Sequence, residues 1–181
     1  MKLSDLSPLF ARRRAGGLSY TYDQFRADPA LAPLNWPDDV IEQFLFDHGD
    51  HFLADYSDLD LCGITWQLES VPSGDFHIMP TGESDAGCIE EKAADPVHWV
   101  GQQPSDVGRH WEEHGTWLRA PLLVDRQLLD PPGSGLQVLE GRTRVGVLRG
   151  RLHEQLLVAP DHGAWVGRPS VTQSVRCATT Q

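Results

Sequence analysis

Apolar residues recur at helical spacing from Pro37 onward: Val40, Ile41, Phe44 and Leu45 share a face, and Asp38 and Asp39 sit where a helix N-terminus favours negative charge. This predicts an amphipathic helix ending near "DHGDH", with "FLADY" adding a turn or two before Tyr56. The period drops to two in "CGITWQLESV", where Ile64, Trp66, Leu68 and Ser70 alternate with Thr65, Gln67 and Glu69 as in a half-buried strand. Helical spacing resumes with Ile89, Ala93 and Val97, is interrupted at Pro96 and Pro104, and returns in "SDVGRHWEEHG". There Ser105 or Asp106 is placed to cap a short helix and Gly115 to stop it. "LRAPLLVDRQLL" reads as a buried strand and "DPPGSG" as a turn. A second strand, "LQVLE", alternates Leu136, Val138 and Glu140 before a helix expected from Arg142 to Gly150. "HGAWVGRP" predicts a last strand, and residues 1 to about 35 read as an arm of short helices and loops. Helices and strands mixed in this way predict the α+β class.

The 181 residues, 40% of them hydrophobic, are enough to bury a sizeable core. Twenty-six acidic against fifteen basic residues give a net charge of −11, which repels polyphosphate at long range and argues against nucleic acid as a partner. Any phosphate site must then be local. Cys62, Cys88 and Cys177 form no Cys-x-x-Cys pair, and a reducing cytoplasm suits them. The N-terminus carries Arg12 to Arg14, read as a solvated tail or helix end, without an apolar run of signal length. No segment is long enough to cross a bilayer, so neither secretion nor a membrane partner is expected. Most of the six tryptophans are expected in the core or packed on the sheet, the rest lining a base- or partner-binding surface.

One stretch carries more charge than its turn requires. In "SGLQVLEGRTRVGVLRGRL" the strand runs into Gly141 and a helix that opens with Arg142, Thr143 and Arg144. The free N–H groups of a first helical turn converge on one spot and attract an anion, and an arginine fork there suits phosphate or carboxylate. Glu140, just before the turn, is placed as a base, as a metal ligand, or as the salt-bridge partner of one arginine.

Taken in order, "HWEEHGTWLRAPLLV", "DPPGSG", "LQVLE" and "EGRTRVGVLRG" resemble the ParB/sulfiredoxin-like fold family over residues 60 to 168. In that family a strand, a turn, a second strand and an acidic-Gly-x-x-Arg motif opening a helix follow one another. The resemblance implies a core of a small mixed sheet with helices packed on it over residues 59–181, preceded by a helical extension over 1–58. Sulfiredoxins carry a reactive cysteine after the motif glycine. Here Arg142 stands in its place, which removes sulfinic-acid repair. About thirty residues follow Gly150, too few for the helix-turn-helix domain of chromosome-partition ParB proteins. The nucleotide-binding and phosphotransfer branches remain. By that resemblance Gly141, Thr143 and Arg144 would hold the phosphates of a nucleoside triphosphate with magnesium and Glu140 would be the acid/base residue, while Arg142, at the start of the helix, would add charge.

Two further clusters offer metal chemistry. His110, Glu113 and His114 fit His-x-x-Glu-His, whose histidines share one helical face, and the plainer account is a solvated helix face. Asp47 to His51 offers oxygen and nitrogen ligands, or else a helix C-terminus with His48 near the last carbonyls. Two functions are therefore expected to compete. One is a cytoplasmic nucleoside-phosphate-binding protein, with hydrolysis or phosphotransfer as its reaction. The other is an acidic immunity or antitoxin protein that covers the basic active site of a toxin without catalysis.

Overall fold

The computed structural model describes residues 1–170. Cys177 lies outside the described residues. The described chain carries helices α1 (Ser7–Gly16), α2 (Tyr22–Arg26), α3 (Asp38–Val40), α4 (Gly49–Tyr56), α5 (Cys88–Ala93), α6 (Pro96–Gly101), α7 (Ser105–His114) and α8 (Arg142–His153). Strands β1 (Ile64–Pro72), β2 (Leu122–Asp125), β3 (Leu136–Glu140) and β4 (Asp161–Pro169) form one sheet of order β1-β4-β2-β3, the last strand entering between the first two. The protein belongs to the α+β class. No helix among the described residues is long and apolar enough to cross a membrane.

The chain divides into two compact units. The first comprises Met1–Gln67, Asp125–Gly135 and the residues from Gly167. Its core is aromatic: Phe10 and Phe25 stack, Trp36 stacks on Phe44 and meets Trp66 edge-on, and Phe52 touches Phe44 and Tyr56. The helix predicted from Pro37 is present, but beyond Val40 it widens into a π-helical turn, Ile41–Phe46. Arg12 to Arg14 stand in the last turns of α1, where Arg12 pairs with Asp28, Arg13 lies over the Phe46 ring and Arg14 pairs with Asp50. The helix-end reading of that run is the observed one.

The second unit comprises Leu68–Val124 and Leu136–Val166. Its core gathers Val71, Phe76, Ile89, Trp111, Trp117, Leu123, Val138, Val145, Leu148 and Val166. Four expectations fail in this unit, each for a physical reason. Leu68 is exposed and burial along β1 resumes at Val71, an odd step from Trp66 that puts the two on opposite faces of the strand. In β3, Gln137, Val138 and Leu139 are all buried, so the strand is covered on both faces and its alternation says nothing about inside and outside. Val97 is 61% exposed because Pro96 opens a new helix, capped by Asp95 accepting from His98 N at 3.0 Å. Neither Ser105 nor Asp106 caps α7: Pro104 holds the N-cap position without a side-chain bond. Gly115 does terminate it, in a left-handed conformation at φ 64°.

The expected end of α8 at Gly150 is also corrected, since the helix continues through His153. Gly150 is an interior contact residue. A Cβ there would lie 2.5 Å from the Ala93 carbonyl oxygen and 2.9 Å from Pro96 Cγ, and one on Gly146 would lie 2.8 Å from the Ile89 carbonyl oxygen. These two glycines, four apart, let α8 press against the backbones of α5 and α6.

His162, the second residue of β4, is fully buried, its Nδ1 2.8 Å from Thr116 Oγ1 and its ring packed on Trp117 and Phe76. Burial, opposed by the Ala159 backbone and Asp161, pulls its pKa down to about 4.

Two outcomes follow from this packing. Gly150→Ala gains up to about 1 kcal/mol in helix propensity but meets a backbone oxygen that cannot step aside, and the clash costs about 1–3 kcal/mol. Urea denaturation should therefore show net destabilisation; an equal or higher midpoint would mean α5 and α6 can retreat. His162 separates folded from unfolded proton binding, since the unfolded imidazole takes its proton near pH 6.5 and the folded one near pH 4. The stability contributed by excluding that proton is complete above pH 6.5 and falls as the pH drops toward 4, by at most about 3 kcal/mol. Denaturation at pH 7 and pH 5 should show a loss about 2 kcal/mol larger in the wild type than in His162→Asn; equal losses would remove His162 as the origin.

Candidate functional site

The end of β3 positions the charged turn. Gly141 follows Glu140 with φ 97° and ψ 25°, a left-handed conformation that disfavours any side chain. It is also tightly covered, because a Cβ would lie 2.5 Å from Pro121 Cβ. The Gly141 carbonyl accepts from Val145 N at 2.9 Å and so closes the first turn of α8. Gly141 has no side chain to cap that turn, and no carboxylate stands within it. A first helical turn of this kind carries donors and a partial positive charge, which favour an anion nearby.

The arginines are already engaged. Arg144 donates through Nη1 to the carbonyl oxygens of Arg119 at 2.9 Å and Ala120 at 3.3 Å, and through Nη2 to Glu140. Of the roles left open for Glu140, the observed contact is that of salt-bridge partner, one helical turn from Arg144. Arg142 pairs with Asp85, whose side chain is almost wholly buried. Both side chains are largely covered, Arg142 being 18% and Arg144 21% exposed. Thr143 lies half-buried between them. The five residues singled out in the sequence lie consecutively in one turn, where the two arginines are balanced by two carboxylates, Glu140 among the five and Asp85 outside them.

Asp85, the Arg119 and Ala120 carbonyls, and two more arginines of α8 were not foreseen as parts of this arrangement. Arg149 donates to the carbonyl oxygens of Phe76 at 2.9 Å and Met79 at 2.5 Å and pairs with Glu90; burial holds its pKa below the ordinary value. Arg151 is only 1% exposed and donates to the Leu157 carbonyl at 3.1 Å and to Glu112 at 2.7 Å, with its guanidinium 5.5 Å from the Trp111 ring centre. No local pattern marks such partners, which lie up to 73 residues away.

The other candidate clusters are separate from this turn in sequence and role. His110 and His114 lie on one face of α7 with ring centres 4.5 Å apart. Asp47 to His51 is a junction between the π-helical turn and α4, where His48 is the N-cap residue and both histidines meet the Phe52 ring. The expected helix C-terminus is thus followed at once by a new helix. Among the described residues no group of three His, Cys, Asp or Glu side chains is arranged to hold a metal ion. Cys62 is an exposed free thiol and Cys88 a half-buried one. Trp36, Trp66, Trp111 and Trp117 are buried and Trp99 and Trp165 partly so, as expected of core residues. No family model, curated protein or solved structure matches the chain, so the chemistry of the turn rests on its own residues.

Proposed function

We propose that the protein binds a nucleoside phosphate at the turn from β3 into α8, on a core of ParB/sulfiredoxin-like type. The observation that carries this reading is the first turn of α8: a glycine N-cap without a side-chain cap, no carboxylate within the turn, and two arginines with partly exposed side chains. Backbone amides and guanidinium forks are the donors that phosphate oxygens take. Asp85 and Glu140 act as resident anions, and an arriving phosphate competes with them for Arg142 and Arg144. Phosphate arrival at Arg144 releases the Glu140 carboxylate beside the ligand, where it can take a proton from an attacking hydroxyl or water. Hydrolysis or phosphotransfer is the reaction this favours, because phosphoryl transfer depends chiefly on positioned charge. Magnesium, carried on the nucleotide's own phosphates, would neutralise charge there.

A second reading draws on a different observation. The four arginines of α8 are paired within the chain, whereas Glu90, Glu91, Glu112 and Glu113 are 58–68% exposed. Such an acidic surface suits an immunity or antitoxin protein that covers a basic toxin.

Calorimetric titration with ATP, ADP, CTP and GTP, with and without magnesium, separates the two. Binding of at least one nucleotide is expected, weakened about tenfold or more by Arg142→Ala, the range for a charge-assisted hydrogen bond. Asp85→Asn removes a competitor and should tighten binding by a similar factor. No binding by the folded wild type would reject the nucleotide reading and leave the acidic-surface one. If turnover occurs, Glu140→Gln should lower it about 10²-fold without weakening affinity, as for loss of a general base; full turnover in that variant would remove Glu140 from the chemistry.

A further inference from the structure

The outer face of α7 carries a feature that the nucleotide reading does not use. His110 and His114 are four residues apart, so their side chains leave the helix one turn above the other on the same side. Their ring centres stand 4.5 Å apart with the planes inclined at 54°. Imidazole nitrogen binds a divalent transition ion at about 2.0–2.1 Å, and the ring centre lies about 1.1 Å behind that nitrogen. Two such nitrogens at a right angle around one ion therefore put their ring centres about 4.5 Å apart, and at a tetrahedral angle about 5.1 Å. The observed ring-centre spacing equals the right-angle distance.

The helix beneath the pair is held rigidly. Trp111, between the two histidines in sequence, is buried against Trp117, and Glu112 is gripped by the buried Arg151. At the end of the helix Gly115 is enclosed by the chain at Val158 and Ala159 and its carbonyl accepts from Ala159 N at 3.0 Å. The backbone positions of the two histidines are thus set before any ion arrives, which spares part of the ordering cost of chelation. Electrostatics act in the same direction. His114 occupies the last turn of α7, where the helix dipole favours positive charge, and the Glu113 carboxylate lies 3.8 Å from its Nε2.

We propose that His110 and His114 form a two-imidazole site for a borderline divalent transition ion, Ni²⁺, Cu²⁺ or Zn²⁺, with the remaining coordination positions open to water or to a donor from another molecule. Imidazole ligands suit these ions, whereas Mg²⁺ and Ca²⁺ prefer oxygen.

The test is titration of the full-length protein with Ni²⁺ and, separately, Zn²⁺, followed by calorimetry and by the thermal midpoint. The tightest site should take one ion per chain and raise the midpoint. His110→Ala and His114→Ala should each weaken that site at least tenfold, while His98→Ala, on another helix, leaves it unchanged. Circular dichroism without metal shows whether each variant is folded, and His110→Gln keeps a polar side chain at the partly buried position if alanine proves disruptive. Absence of binding by the wild type at millimolar ion, or a tightest site of unaltered affinity in the double variant, would overturn the proposal.

Discussion

A helix buried on nearly every side has to satisfy the cations it carries, and that constraint organises the second unit. The four arginines of α8 each find partners in a different stretch of chain: Arg142 in Asp85, Arg144 in the carbonyls before β2 and in Glu140, Arg149 in the loop Phe76–Met79 and Glu90, and Arg151 in Leu157 and Glu112. A guanidinium withdrawn from water without partners would cost several kcal/mol. The geometry that avoids this cost ties down segments whose carbonyls have few regular secondary-structure partners. Breaking one such contact would leave both a buried cation and an unsatisfied loop carbonyl, so fold and charge placement cannot be varied independently here.

The glycines of α8 complete the same design. Gly146 and Gly150 bring the helix close enough to α5 and α6 for Arg149 to reach Glu90, and Gly141 lets β3 turn directly into the helix beneath Pro121. Large side chains at these places would widen the gaps that the arginines bridge. Gly-x-x-x-Gly on one face and arginine elsewhere around the helix thus act together: the first permits contact and the second makes it polar and directional.

Some of this was legible in the sequence. The α+β class, β1, β4, the helix after Pro37 and the stop at Gly115 follow from local periodicity and turn chemistry, which operate within a few residues. Val97 departs from its expected burial because Pro96 starts a new helix there, Leu68 because the buried face of β1 changes between Trp66 and Val71, and β3 because a period reports a face only when one face is wet and β3 is covered on both. Gly150 was read as a stop because glycine does end helices; its actual role depends on α5 and α6, about sixty residues earlier in the chain. At the charged turn Glu140, Gly141, Arg142, Thr143 and Arg144 stood out by their surplus charge. Asp85 did not, because nothing near it in sequence distinguishes it from the other carboxylates.

The pairing of Arg142 with a buried carboxylate also determines what kind of ligand the proposed site can take. Exchanging one carboxylate for one singly charged oxyanion replaces a charge-assisted hydrogen bond with another of similar strength, so a monoanion gains little. A phosphate chain carries more than one negative charge and several oxygens. It can engage Arg142, Arg144 and the amides of the first turn together, and each contact beyond the first is a gain over the resident carboxylates. Selectivity for di- and triphosphates over simple anions would then arise from the competition itself, with no pocket needed to measure the length of the ligand.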